Sequence, residues 1–133
     1  MNGARVFSAE ARSAARALRP DVQAVDTVIA RAAWSVIAEP GDGTAGALIR
    51  DLGPVEALLC ALDRRAGEPN SFERETSTEA ERVAQARARW LPRADPRAIV
   101  HALEGARHVN ARLVLPEDPG WPTMLDDLDV HAP

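Results

Sequence analysis

The sequence contains no tyrosine, and only 4% of its residues are aromatic. It also contains no lysine, so all 16 basic residues are arginines, and the formal net charge is −4. A protein that holds duplex DNA by bulk electrostatics needs a clustered excess of positive charge. The composition therefore excludes that binding mode for the chain as a whole. Any contact with nucleic acid has to be local.

A single cysteine, Cys60, leaves no partner for an internal disulfide bond. It follows Leu59 in an apolar helical pattern without a neighbouring histidine or cation, which predicts a packing role. The N-terminus has no apolar core long enough for a signal peptide, and no apolar run approaches the length of about 18 residues typical of a membrane span. These absences predict a cytoplasmic protein that makes no membrane contact.

Common catalytic signatures are missing as well, namely a Gly-rich dinucleotide loop, a P-loop lysine motif and a nucleophile elbow. His101, Glu104 and His108 share one side of a predicted helix at a spacing that could hold a metal ion. That side is polar, and a solvated helix face explains it equally well. The acidic residues from Asp126 onward have no histidine or basic cluster beside them in the sequence. We therefore expect no enzymatic activity, no metal site and no cofactor.

What the sequence does contain is helical periodicity. It has 133 residues, of which 46% are hydrophobic, enough for one domain-sized core. Abundant alanine and apolar residues at helical spacing predict a mainly α fold of about five helices, including a helix-hairpin-helix-like pair, with one short C-terminal strand. The predicted organisation is a helical N-terminal subdomain at 1–66, a loop at 67–76, two further helices in 77–110, and a strand with a helical turn in 111–133.

Two tryptophans are candidate contact residues. Trp34 falls opposite the apolar stripe of its predicted helix, so either the first helix covers it or it marks a second contact surface. Trp90 lies near the end of a later helix, before Pro92. An autonomous helical module that binds other proteins, or itself, without contacting DNA could use either indole as its anchor.

The turn from Pro40 to Thr44, P-G-D-G-T, separates two predicted helices. A tight Gly-x-Gly turn between helices resembles the helix-hairpin-helix module, in which free amides and the positive end of a helix dipole meet a DNA phosphate. Gly41, Gly43 and Thr44 are the candidate DNA-binding residues. Asp42 stands where that module usually has an apolar residue, and its carboxylate would repel phosphate. A purely structural hairpin is the alternative.

The most specific stretch runs from Leu113 to Leu128, L-V-L-P-E-D-P-G-W-P-T-M-L-D-D-L. Residues 112–115 contain the apolar run Leu113 to Leu115 with a β-branched valine and end at Pro116, which predicts a strand. An acidic turn follows, and Pro122 suits the first position of a short helix because it has no amide hydrogen to leave unsatisfied. A lone strand has no partner elsewhere in this sequence.

These motifs resemble the DNA-processing protein A family, DprA or Smf. The resemblance is carried by the A-W-S-V-I-A-E-P-G-D-G hairpin, by L-G-P-V-E-A-L and above all by the C-terminal stretch. The sharpest match is to that family's acidic residue, aromatic-proline pair and leucine before its core domain. In this sequence these are Asp118, Trp121, Pro122 and Leu125.

The resemblance implies a fold, a role and partners. In the family, a Rossmann-like core that binds single-stranded DNA continues past this motif, so the predicted strand would be the start of an α/β domain absent from this sequence. Proteins of this family protect incoming single-stranded DNA and help load the RecA recombinase during natural transformation. The resemblance implies that this chain is the accessory N-terminal region of such a protein. No DNA-binding residue of that core can be transferred here, because its segment is absent.

Overall fold

The computed structural model describes residues 3–63 and 77–133, and the predicted loop at 67–76 lies outside these ranges. The described part of the chain is mainly helical, as predicted. It contains six α-helices rather than about five: α1 (Ala9–Leu18), α2 (Val25–Ile37), α3 (Gly43–Leu52), α4 (Pro54–Leu62), α5 (Ser77–Trp90) and α6 (Pro96–His108). Short 3₁₀ helices occur at Gly3–Arg5, Leu91–Arg93 and Thr123–His131.

Local sequence signals set most helix ends. The Ser8 hydroxyl accepts a hydrogen bond from the Ala11 amide at 3.1 Å and caps α1, as predicted. Gly53 ends α3 with φ of 79°, a conformation that glycine adopts without a steric penalty, and Pro54 begins α4. Asp21 follows Pro20 and is of a residue type that commonly caps helices, which predicts a start of α2 near it. The helix instead begins at Val25 without a side-chain cap, and the Asp21 carboxylate binds Arg19.

The core lies where α2 meets α1, α4 and α6, while α3 packs on α4. Ile29, Leu58 and Ile99 are fully buried there, and small alanines line the helix contacts. Alanine at these positions lets helix backbones approach closely and costs no side-chain entropy. The alanine-rich composition is thus the basis of the packing.

In place of the predicted strand at residues 112–115, the structure has an irregular segment that docks on the helices. Leu115 is buried and Leu113 packs against the core. The Leu115 amide and the Leu113 carbonyl are satisfied by the side chains of Asp118 and Arg19 rather than by a β-ladder. The described residues contain no strand that could have paired with this segment.

The predicted helical turn near the C-terminus is a 3₁₀ helix that starts just after Pro122. A kink interrupts it at Asp129, whose φ of 50° and ψ of −123° are not helical. None of the described helices combines the length and the apolarity that a membrane span requires.

Candidate functional site

The hairpin, residues 40–44, joins α2 to α3 and is organised by Asp42. Gly41 has φ of 78°, and the Asp42 amide donates to the Glu39 carbonyl at 3.0 Å, which closes the turn. One oxygen of the Asp42 carboxylate accepts from the amides of Thr44 at 3.1 Å and Ala45 at 3.2 Å. Asp42 is therefore the N-cap of α3, and its charge also interacts favourably with the helix dipole.

The second carboxylate oxygen of Asp42 ties the hairpin to α5. It accepts from the Trp90 indole Nε1 at 2.9 Å and from Arg89 at 3.3 Å. Burial by itself would raise the pKa of Asp42, but the hydrogen bonds from Trp90, Ala45 and Arg89 outweigh it and hold the pKa below its ordinary value. The Asp42 carboxylate, which was expected to repel a DNA phosphate, thus links the hairpin to α5.

The two candidate anchor tryptophans pack against each other inside the protein. The rings of Trp34 and Trp90 meet edge to face, with centroids 5.2 Å apart and an interplanar angle of 87°. The Trp34 indole also donates to the Pro54 carbonyl at 3.1 Å. Trp34 is 5% exposed and Trp90 is 1% exposed, so neither ring is free to anchor a partner.

The candidate DNA-binding residues Gly41, Gly43 and Thr44 do lie together at the start of α3, but internal groups occupy this end. The Thr44 amide is bonded to Asp42, and the His131 ring lies over Gly43. His131 Nδ1 is 2.9 Å from the Gly41 carbonyl oxygen. No local sequence pattern indicates this contact, since His131 lies 90 residues from Gly41.

The family-motif residue Asp118 is held by a buried arginine. Arg19, only 3% exposed, donates to both carboxylate oxygens of Asp118 at 2.7 and 2.8 Å, and Asp118 itself is 14% exposed. Arg19 also donates to the Leu113 carbonyl at 2.8 Å and to both oxygens of Asp21 at 3.0 and 2.9 Å. All five donors of the guanidinium are therefore used. We call Arg19, Asp21 and Asp118 the clasp.

The clasp shifts the titration of its members. Hydrogen bonds from Arg19 and from the Leu115 amide lower the pKa of Asp118 to about 2. Hydrogen bonds to Asp118 and Asp21 raise the pKa of Arg19 above its already high ordinary value. Both groups are charged across the physiological range, so the clasp is a permanent ion pair rather than a switch. The C-terminal motif identifies Asp118 as a candidate residue, but no sequence pattern indicates that its partner is Arg19, which lies 99 residues away.

The other motif residues continue the turn that Asp118 begins. The Trp121 amide donates to the Asp118 carbonyl at 3.1 Å, and the half-buried Trp121 indole donates to Asp126 at 2.9 Å. The Leu125 amide donates to the Pro122 carbonyl at 2.9 Å. The motif residues thus lie in consecutive turns. The first of them, Asp118, is held by Arg19 at the C-terminal end of α1.

A cleft of about 530 Å³ separates α2 and α3 from the C-terminal segment, residues 111–133. The rings of Trp34 and Trp121 and the side chain of Ile49 contribute to its lining. Arg31 on α2 donates to Glu117 across it at 2.5 Å. Because Glu117 directly precedes Asp118, a second ion pair supports the same turn.

The histidine-bearing face of α6 gathers no metal ligands. His101, Glu104 and His108 are all exposed. Across residues 3–63 and 77–133, no three side chains of His, Cys, Asp or Glu come close enough to hold a metal ion.

The chain matches no family model, no curated protein and no solved structure. The resemblance to the DprA/Smf family accordingly rests on the sequence motifs alone.

Proposed function

We propose that this chain is the helical accessory region of a DNA-processing protein of the DprA/Smf type, which handles single-stranded DNA and assists RecA loading during natural transformation. The observation that carries the proposal is the clasp. The acidic residue of the family-like motif, Asp118, is the point at which the C-terminal segment is fixed to the helices. In this proposal the protein acts in the cytoplasm, and this chain is not itself an enzyme.

A junction between a helical region and a core domain has to hold one orientation. A bidentate arginine–carboxylate pair is directional as well as strong, because two parallel hydrogen bonds fix both the distance and the angle. Arg19 forms such a pair with Asp118 and adds a bond to the Leu113 carbonyl. In this proposal residues 112–115 are the edge at which the Rossmann-like core of the family would begin.

The proposal assigns only weak DNA contact to this chain. Its net charge is −4, and the α3 amides nearest the hairpin are bonded to Asp42. We expect single-stranded DNA to bind with a Kd no tighter than the ~10⁻⁴ to 10⁻⁶ M of nonspecific contacts. The strong DNA and RecA contacts of such a protein would belong mainly to the core.

The test is a fluorescence anisotropy titration of a labelled single-stranded oligonucleotide at low salt, with the wild type and Asp42→Asn. Asparagine keeps a side-chain oxygen for the cap but removes the charge and the acceptor of the Trp90 indole, so circular dichroism first establishes that the variant is folded. Binding at the hairpin should then tighten several-fold and weaken with added salt. A Glu104→Gln variant, which removes an exposed charge on α6, away from the hairpin, serves as the control. Submicromolar binding by the wild type, or no binding by any variant, would contradict the proposal.

A helical interaction module without DNA binding is the second candidate, and one observation favours it. Met124 is 76% exposed and Leu128 is 48% exposed, both on the C-terminal 3₁₀ helix. These two side chains, rather than the buried tryptophans, are the apolar surface that self-association would use. Sedimentation at increasing concentration distinguishes the candidates: a dimer abolished by Met124→Ala and Leu128→Ala, together with no DNA binding, would favour the module.

A further inference from the structure

The cleft between α2, α3 and the C-terminal segment has mainly apolar walls. Its volume of about 530 Å³ lies within the roughly 300–1,000 Å³ of small-molecule sites, which are concave and carry only a few polar groups. The apolar walls include two indoles, an isoleucine and three prolines: Trp34, Trp121, Ile49, Pro40, Pro54 and Pro116. The cleft therefore has the size and the walls to bury a flat apolar body.

The clasp fixes the wall that Trp121 forms. The Trp121 amide donates to the Asp118 carbonyl at 3.1 Å, and Arg19 holds the Asp118 carboxylate through two hydrogen bonds. Glu117 is bonded to Arg31 across the cleft. A site whose walls are fixed before a ligand enters loses less conformational entropy on binding. This end of the cleft is thus preorganised.

The charged groups of the cleft are predominantly acidic. Five carboxylates and two guanidiniums line it, namely Glu39, Asp42, Glu117, Asp126 and Asp129, and Arg31 and Arg50. Asp51, Arg89 and Arg93 pair with these groups from outside the lining, which makes six carboxylates against four guanidiniums. Apolar walls of low dielectric constant focus the field of the excess charge. The cleft therefore attracts cations and repels phosphate.

Asp126 is the carboxylate of this lining that has no arginine partner within residues 3–63 and 77–133. Its Oδ1 accepts from the Trp121 indole at 2.9 Å, and no described group donates to its Oδ2. A cation over an indole is attracted by the electrons of the ring, and a cation beside a carboxylate gains a charge-assisted hydrogen bond. Trp121 and Asp126, held together by their own hydrogen bond, supply both interactions.

We propose that the cleft binds a small organic cation, that is, an ammonium, amidinium or guanidinium group carried on a flat apolar body. Asp126 holds the cationic group beside Trp121, and the apolar body lies between the walls. Asp129 adds to the negative potential, because its partner Arg50 is shared with Asp51. The inference stands apart from the proposed function, and either can fail without the other.

Three probes of nearly equal size test the role of charge. Benzamidine, benzamide and benzoate share one aromatic ring and carry a positive, no and a negative charge at neutral pH. Each is titrated into the full chain, and the NMR signal of the Trp121 indole N–H reports binding. The Trp90 indole, outside the lining and 1% exposed, is the internal reference. We expect benzamidine to bind about tenfold more tightly than benzamide, and benzoate not to bind.

The chain offers a matched pair of substitutions. Asp126→Asn removes the charge and keeps an oxygen for the Trp121 indole, whereas Asp127→Asn makes the same change at the next residue, which is exposed and outside the lining. Both residues lie on the same 3₁₀ helix. Circular dichroism establishes that each variant is folded. We expect Asp126→Asn to weaken benzamidine binding about fivefold and Asp127→Asn to leave it unchanged.

Each other outcome would overturn the inference. Equal affinities for benzamidine and benzamide would show that the cleft does not select a cation. Equal losses in Asp126→Asn and Asp127→Asn would mean that the net charge of the chain, and not this site, attracts the probe. A Trp121 signal that no probe shifts would exclude the site. Tighter binding of Nα-acetylarginine amide than of benzamidine would replace the small ligand with an arginine side chain of a partner protein. None of these results bears on the DNA titration.

Discussion

Two aspartates attach the C-terminal segment to the helices, and they do so very differently. Asp118 meets Arg19 at 2.7 Å, and the two side chains are 14% and 3% exposed. Asp129 meets Arg50 at 3.4 Å, and these side chains are 72% and 57% exposed. The two pairs have the same chemistry, but water screens only the second one effectively. The comparison teaches that burial and the number of hydrogen bonds, rather than the presence of an ion pair, decide which attachment is permanent.

Removing the buried member of the clasp should have the largest effect. Arg19→Met leaves the Leu113 carbonyl without its donor and Asp118 with only the Leu115 amide, and we expect a loss of about 3 kcal/mol in the free energy of unfolding. Urea denaturation followed by circular dichroism measures it. Arg12→Met is the control, because Arg12 also makes two hydrogen bonds to one carboxylate, that of Asp26, and one to a backbone carbonyl, that of Phe7, but in a pair that is 40% and 46% exposed. Equal losses of unfolding free energy from the two variants would show that burial does not decide how much such a pair stabilises the fold.

Acid should have the second-largest effect on stability, because it weakens the clasp. The folded pKa of Asp118 is about 2, below its ordinary value of 3.8, so its stabilisation is complete above the unfolded pKa and is lost as pH falls through the folded pKa. This amounts to about 2 kcal/mol, lost between about pH 5 and pH 2. Urea midpoints across that range measure it. Asp118→Asn should be less stable at pH 7 and show a flatter profile; an unchanged profile would contradict the assignment.

The smallest effect on global stability is expected at the exposed pair of Arg50 and Asp129. Arg50→Gln should change the free energy of unfolding by no more than about 0.5 kcal/mol, because the pair is exposed to solvent. Amide exchange of residues 129–133 should nevertheless increase, since local opening there needs no global unfolding. A loss as large as that of Arg19→Met would mean that both attachments are equally structural.

Short-range signals predicted much of the fold. Ser8 caps α1, Asp95 accepts from the Arg97 amide at 3.0 Å at the start of α6, and Gly53–Pro54 separates α3 from α4. These signals are reliable because a cap or a breaker acts within one helical turn. Asp21 does not cap α2, because its carboxylate accepts from Arg19, two residues earlier, whose guanidinium is in turn held by Asp118 from the far end of the chain.

Long-range contacts account for the rest. Residues 112–115 have the composition of a strand, but a strand needs a partner, and Asp118 and Arg19 satisfy the Leu115 amide and the Leu113 carbonyl instead. Trp34 was expected to be covered by the first helix or to lie on a contact surface. It is buried against Trp90 and bonded to the Pro54 carbonyl, contacts that no periodicity within its own helix could show.

The sequence by itself determined the helical class of this protein, most helix boundaries, and the motif Asp118, Trp121, Pro122 and Leu125 on which the family resemblance depends. Only the tertiary structure decided what that motif is attached to and what covers the hairpin. The physical reason is range. Periodicity, caps and turns act between residues a few positions apart, whereas Arg19 and Asp118 are 99 positions apart and Gly41 and His131 are 90 positions apart.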